Sequence, residues 1–173
     1  MTTENLPILA ILGGTGDLGT GLARRWAQAG YQVIIGSRTA EKAEAAAADL
    51  REVMAERGLA EITVQAMENL AAATAADIVT LTVPFSHQAS TLELVKPVLQ
   101  GKILIDVTVP LVPPKVARVQ MPAQGSAGQI AQEILGEDVS VVSAFQNVAA
   151  HHLQEGKGIS CDVLVSGNKK VAR

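Results

Sequence analysis

Residues 8–43 read ILAILGGTGDLGTGLARRWAQAGYQVIIGSRTAEKA, and this stretch decides the class of fold. A short apolar run over residues 7–12 meets a glycine-rich turn. Residues 17–29 then place Leu18, Leu22, Trp26 and Ala29 at helical spacing, with Arg24, Arg25 and Gln28 off that stripe. Gly30 suits the position just past a helix end. The turn itself, Gly14-Thr15-Gly16-Asp17-Leu18-Gly19, has the G-x-G-x-x-G spacing. In that spacing glycines permit a tight turn, close backbone approach to a pyrophosphate, and packing of helix on strand. A glycine-rich turn alone can serve geometry only. Here strand, turn and helix arrive in the required order, so the helix's first amides face an anion. The stretch predicts a dinucleotide site.

The second strand, expected over residues 31–36, indicates which dinucleotide. An Asp or Glu about 20 residues beyond the glycines binds an unmodified ribose 2′-hydroxyl, whereas an Arg accommodates a 2′-phosphate. Ser37 and Arg38 hold that place. Arg38 and Lys42 lie four residues apart, so a helix starting near Thr39 brings them to one anion, with the Ser37 hydroxyl as a neutral donor. Cations at a helix start oppose its dipole, a local disadvantage that favours a bound phosphate as their reason. NADP(H) is expected over NAD(H).

At 173 residues, with 48% hydrophobic and 18% charged residues and a net charge of −3, the chain suits one well-packed domain plus a small appendage. There is no basic stripe, and one Trp, one Tyr and two Phe offer little for base stacking, which argues against nucleic acid. The lone Cys161, among apolar neighbours, reads as an inert core residue. No apolar stretch is long enough to span a bilayer and residues 1–6 lack the pattern of a secretory leader, so a cytoplasmic location and no membrane partner are expected.

Beyond Arg38, helices are expected over residues 41–57, 68–75, 86–99 and from Ser126 to Gly136, the last opened by a Ser126/Gln129 capping box. Strands are expected over 62–66, 77–83, 102–109, 139–145 and 161–166. Pro97 should break or kink its helix. The alternation implies an α/β fold: a Rossmann-type, doubly wound parallel sheet with helices on both faces. Residues 110–125 hold four prolines and form a loop long enough to be a candidate substrate lid. Residues 146–158 are polar and glycine-containing, and residues 168–173 resemble the opening of a helix.

Thr82-Val83-Pro84-Phe85 and Thr108-Val109-Pro110-Leu111 fall at the C-terminal ends of central strands, where ligands bind in open α/β sheets. They either line the nicotinamide pocket or merely turn the chain. His87 either touches the nicotinamide ribose or phosphate or only starts a helix. Asp106 could act as an acid or base, although on an apolar strand a hydrogen-bonded sheet-end carboxylate is commoner. Adjacent His151 and His152 seldom chelate together, and no metal is expected. Gly13, Gly16 and Gly19 also fit the G-x-x-G-x-x-G turn of extended short-chain dehydrogenases, which use a Tyr four residues before a Lys. Tyr31, the single tyrosine, is followed at that spacing by Ile35, which disfavours that class. A ketone reductase needs a positioned proton donor. Hydride exchange between two redox cofactors mainly needs two rings held face to face, so the absence of a convincing acid favours a cofactor-to-cofactor transferase.

ILGGTGDLGTGLARRWAQAGYQVIIGSR with EKAE, then TLTVPFSH, DVTVPL and VVSAFQNVAA, resembles the NADPH-dependent reductases of the deazaflavin coenzyme F420 across nearly the whole chain. The resemblance implies reversible hydride transfer between NADP(H) and F420 without a catalytic protein acid or base, usually in a homodimer. It implies that Thr15, Gly16, Asp17 and Leu18 hold the pyrophosphate, Ser37, Arg38 and Lys42 the 2′-phosphate, and Val83, His87, Val112 and Ala150 the nicotinamide half. It further implies an NADP-binding Rossmann domain over residues 1–145 and, over 146–173, the start of a C-terminal segment that in the family continues further. Two other readings stand beside it: an NADP-binding module or sensor without catalysis, and an NADPH-dependent reductase of a small imine or carbonyl compound using Asp106 or His87.

Overall fold

The computed structural model describes residues 6–111, 114 and 118–167. β1 (Leu9–Leu12), α1 (Asp17–Gln28), β2 (Val33–Ser37), α2 (Ala40–Glu56), β3 (Val64–Glu68), α3 (Asn69–Ala75) and β4 (Ile78–Leu81) follow in turn. A single 3-10 turn (Phe85–His87) leads into α4 (Gln88–Leu99), β5 (Ile103–Asp106), α5 (Ala127–Leu135), β6 (Ser140–Ser143), α6 (Ala150–Gln154) and β7 (Ser166–Gly167). The sheet order is β3-β2-β1-β4-β5-β6-β7. Every pairing from β3 across to β6 is parallel, whereas β7 pairs antiparallel with β6.

Side chains that alternate along each strand feed two cores, one on each face of the sheet. Ile11, Val33 and Ile35 pack with Leu22 and Ala23 of α1, Ala47, Leu50 and Met54 of α2, and Leu153 of α6. Ala10, Leu12, Val79 and Leu81 pack with Leu92, Val95 and Leu99 of α4 and Ala131 and Leu135 of α5. All four residues of β1 are buried, as a central parallel strand covered on both faces requires. A doubly wound sheet is therefore what the β/α alternation produces. Its antiparallel edge is the departure from the expected all-parallel arrangement.

The differences lie where local pattern competes with packing. The stretch 161–166 forms no strand until Ser166, and Cys161 is exposed rather than in the core. Beyond β6 the chain sends α6 back onto α1 instead of crossing over the sheet, so the returning segment meets β6 antiparallel and only at Val142↔Gly167 and Ser143↔Ser166. Alternating apolar residues cannot report that lack of a partner. α4 continues through Pro97 to Leu99. Pro97 and Glu93, whose carbonyl loses its intrahelical donor, are both exposed, so water can satisfy that group. Within 110–125, Leu111 bridges Val119 antiparallel and Gln120 N–H donates to the Pro110 carbonyl at 2.9 Å. Residues 112–113, 115–117 and 168–173 lie outside the described residues, and with them the expected lid tip and terminal helix start.

Ser126 caps α5 as its sequence suggests, its side chain accepting from the Gln129 N–H at 3.1 Å. Ser126→Ala should lower the unfolding free energy by about 1 kcal/mol, the usual size of a lost cap. Urea titration followed by circular dichroism checks this; an unchanged midpoint would show that the cap contributes nothing.

Candidate functional site

The strand order reverses at β1, with β2 and β3 on one side and β4 onward on the other. A crevice opens at such a point beyond the strand C-termini. Here it is a cleft of about 600 Å³, with the turn after β1 along one wall and Thr82, Val83 and Pro84 after β4 along another. Ser37, Arg38, Lys42, Asn69, His87, Ser90 and Thr91 complete it. The two walls meet closely, since the Thr82 N–H and hydroxyl both donate to the Leu12 carbonyl at 3.0 Å. Gly13, at φ +70°, leaves no room for a side chain there, because a Cβ would lie 2.5 Å from Val83 Cγ1.

Close approach explains two further glycines and leaves a third to be explained. A Cβ on Gly19 would sit 2.6 Å from Gly14 Cα, and one on Gly14 would sit 2.7 Å from the Ile11 carbonyl oxygen. These glycines let α1 lie directly against the strand end. A Cβ on Gly16 would meet nothing within 4 Å. No protein atom demands glycine at that position, which lines the cleft at the N-terminus of α1, so the bare backbone is free for a ligand to approach.

At one end of the cleft, Thr39 caps α2 and its side chain accepts from the Lys42 N–H at 3.4 Å. α2 therefore begins where Arg38 and Lys42 can share an anion. Both cations are exposed, and neither pairs with a carboxylate among the described residues. Ser37 is buried at the end of β2 yet lines the same cleft. A neutral hydroxyl beside two free cations is a donor set for a phosphate monoester.

Toward the other end stand Val83 and His87. Behind them lies a closed polar network: Gln88 Nε2 donates to Asp106 Oδ2 at 2.9 Å and to the Ala127 carbonyl at 2.9 Å, with Thr108 Oγ1 at 3.0 Å. Asp106 Oδ1 accepts from the Thr108 N–H at 3.0 Å. Asp106 is wholly buried and does not line the cleft. It is thus a hydrogen-bonded sheet-end carboxylate, tying β5 to α4 and α5. A second hollow, of about 330 Å³, lies beyond β5 and β6 between Thr108, Val109, Pro110, Met121, Gln146 and Leu164.

α1 is held from behind by α6, a helix absent from the sequence reading. Arg25 Nε and Nη2 donate to the Leu153 and His152 carbonyls at 3.0 and 2.8 Å, and Arg24 and Arg57 both reach the Gln154 carbonyl. Arg24, expected on the polar face, is buried. Burial and the neighbouring Arg57 and Arg25 lower its affinity for a proton, and the carbonyls at the negative end of α6 answer its charge. Gln154 Nε2 in turn donates to the Asp17 carbonyl at 2.8 Å and Thr20 Oγ1 at 2.9 Å, in the first turn of α1.

Of the residues singled out in the sequence, Thr15, Gly16, Asp17, Leu18, Ser37, Arg38, Lys42, Val83 and His87 all line the one cleft. Ala150 opens α6 and is not among the lining residues, and Val112 lies outside the described residues. Asn69, Ser90 and Thr91 line the cleft without having been singled out. An isolated Asn at a helix start carries no motif, so Asn69 could not be found by spacing.

A family model described as "NADP oxidoreductase coenzyme F420-dependent" matches residues 8–110. The chain is 42% identical over 169 residues to the F420-dependent NADP reductase of Methanocaldococcus jannaschii, covering 95% of this chain and 74% of that protein. It is 41% identical to the F420-dependent NADP reductase of Methanothermobacter thermautotrophicus, over 95% of this chain and 72% of that one. Among solved structures, it resembles a protein from Arthrobacter sp. FB24 provisionally named an F420-dependent NADP-reductase, with a TM-score of 0.75 at 26% identity, over 96% of this chain and 76% of that chain. A Plasmodium falciparum pyrroline carboxylate reductase solved with NADP bound shares the fold, with a TM-score of 0.60 at 20% identity, over 96% of this chain and 50% of that chain.

The buried carboxylate offers a test that needs no ligand. Desolvation raises the Asp106 carboxyl above its ordinary value, opposed in part by hydrogen bonds from Thr108 and Gln88. The folded protein thus keeps this proton to higher pH than the unfolded chain. The resulting stabilisation is complete below the ordinary carboxylate range and lost as pH rises through the raised value. In urea unfolding from about pH 4 to about pH 8, the stability of Asp106→Asn relative to wild type should climb with pH, at no more than about 1.4 kcal/mol per unit. A difference independent of pH would show that the Asp106 carboxyl is not raised in the folded protein.

Proposed function

The chain belongs to the coenzyme F420-dependent NADP oxidoreductase family, and from that membership we propose how its cleft serves hydride exchange between NADP(H) and the deazaflavin. The activity is that of an F420-dependent NADP reductase. The observation that carries the reading of the cleft is that Arg38 and Lys42, which pair with no carboxylate among the described residues, stand beside Ser37 at the far end of the same cleft of about 600 Å³ that begins at the glycine turn. The backbone at Thr15, Gly16, Asp17 and Leu18 receives the pyrophosphate, and Ser37, Arg38 and Lys42 receive the 2′-phosphate. Val83 and His87 border the nicotinamide half. Val112 and Ala150 are assigned to that half by the family resemblance alone. When bound, NADPH supplies a hydride from its nicotinamide ring.

The chain's own part in the reaction is to hold and orient. Gly13 and Val83 are packed too tightly to let the two walls drift, and the Gln88–Asp106–Thr108 network fixes the ends of the strands behind them. We place the deazaflavin ring in the hollow beyond β5 and β6, because β5 neighbours β4 and that hollow opens at the same end of the sheet. Asp106 is sealed away from both, which supports transfer without a protein acid or base and speaks against an imine or carbonyl reductase using that residue. By the family resemblance, residues 1–145 are assigned to the NADP-binding unit, 146–173 to a C-terminal segment, and the working form to a homodimer. No helix among the described residues is long and apolar enough to cross a membrane.

Loss of F420 absorbance in the presence of NADPH tests the assignment; an absence of turnover would overturn it. Arg38→Ala should weaken NADPH binding by about 1.5 to 3 kcal/mol, the scale of hydrogen bonds to charged groups, and leave NADH nearly unchanged. Equal losses for both would show that Arg38 does not meet the 2′-phosphate. His87→Gln should keep every limb of the pH-rate profile, whereas a lost limb would make His87 a proton donor.

A further inference from the structure

Asn69 lies in the cleft between the pyrophosphate turn and the 2′-phosphate segment. It stands at the first position of α3, and its side chain reaches over the end of β2 to the turn after β1. Its Oδ1 accepts from the Gly13 N–H at 3.3 Å. On the way it passes Gly36, where a Cβ would lie 2.9 Å from that same oxygen. Glycine at position 36 thus makes room for the amide, immediately before Ser37 and Arg38. The backbone makes a parallel tie, with the Gly14 N–H donating to the Gly36 carbonyl at 2.9 Å.

The hydrogen-bond account of this amide is incomplete. Only its oxygen can accept from Gly13, which settles which way round the group lies and leaves the NH2 with two hydrogens. No acceptor among the described residues takes either one. Asn69 is 5% exposed, yet its Nδ2 is not among the described buried atoms that lack a partner, so the NH2 opens onto the cleft that Asn69 lines. Donors held this rigidly are as a rule paired. The neighbours on that wall, Ser37 and Arg38, face the phosphorylated ribose in the reading given above, on which this step rests.

We propose that Asn69 is a specificity-determining residue that anchors the turn through Oδ1 and donates through Nδ2 to the 2′-phosphorylated ribose of NADP(H). Arg38 and Lys42 are long, exposed and attract any phosphate. A buried neutral donor fixed by Gly13 adds position, which charge alone does not give. It also makes turn and ribose pocket respond together, because one side chain serves both.

Asn69→Asp separates the two tasks: it keeps an acceptor for the Gly13 N–H and removes both donors, while placing a negative charge beside the phosphate. Its Kd for NADPH and for 2′,5′-ADP should rise about tenfold or more, the equivalent of one charge-assisted hydrogen bond, and by clearly more than for NADH or 5′-AMP. An equal loss for all four ligands, or no loss for any, overturns the ribose contact. In the unmutated protein, the Asn69 side-chain NH2 resonances should shift on adding 2′,5′-ADP and not 5′-AMP. An unmoved pair overturns the proposal without any variant having to fold. Failure of the unmutated protein to bind 2′,5′-ADP at all would instead remove the NADP reading beneath it, and the proposal with it.

Discussion

Everything at the ligand-binding end of this protein depends on how closely the first helix can approach the first strand. Gly19 stands where any Cβ would be 2.6 Å from the Gly14 Cα, and Gly14 where one would be 2.7 Å from a strand carbonyl. Side chains at either position would push α1 off the sheet and turn its first amides away from the cleft. Overpacking of this kind costs about 1 to 3 kcal/mol even where the structure can shift. Here the nearest atoms are backbone, which has little freedom to give. The approach of helix to strand also brings the turn under Val83 and within reach of Asn69, so the cleft's walls share one spacing.

A second constraint is the handling of charge. The cations at the cleft, Arg38 and Lys42, are exposed and unpaired with any described carboxylate, while the cations behind it, Arg24, Arg25 and Arg57, are spent on the carbonyl end of α6. Asp106 is buried without a cation and relies on Gln88 and Thr108 for its hydrogen bonds. Arg38 and Lys42 thus remain open to an anionic ligand at the cleft, while the arginines behind it are engaged. A reaction that moves a hydride between two rings asks the protein for position and for phosphate recognition, and those are the features its polar groups supply.

Much of the site was legible because its chemistry is local. Nine of the residues singled out from spacing and resemblance, Thr15 to Leu18, Ser37, Arg38, Lys42, Val83 and His87, line one cleft. Short-range rules suffice there: a glycine turn after a strand, a basic pair at a helix start, small residues after a central strand. Asn69 was illegible for the opposite reason. Its partner Gly13 is 56 positions away, and nothing in the run of residues around it marks that contact. The polar stretch after β6 concealed a helix in the same way, since α6 owes its place to arginines about 130 positions earlier.

By itself the sequence determined the succession of strands and helices from β1 to β6, the glycine turn, and the preference for a phosphorylated dinucleotide, because each rests on periodicity or on residues within a few positions of one another. Tertiary structure alone decided that the last strand runs antiparallel, that Pro97 stays within its helix, that Cys161 is exposed, and that Asn69 and α6 brace the turn. Those outcomes depend on which distant segment supplies a hydrogen-bond partner or covers an apolar face, and only the folded chain brings such segments together.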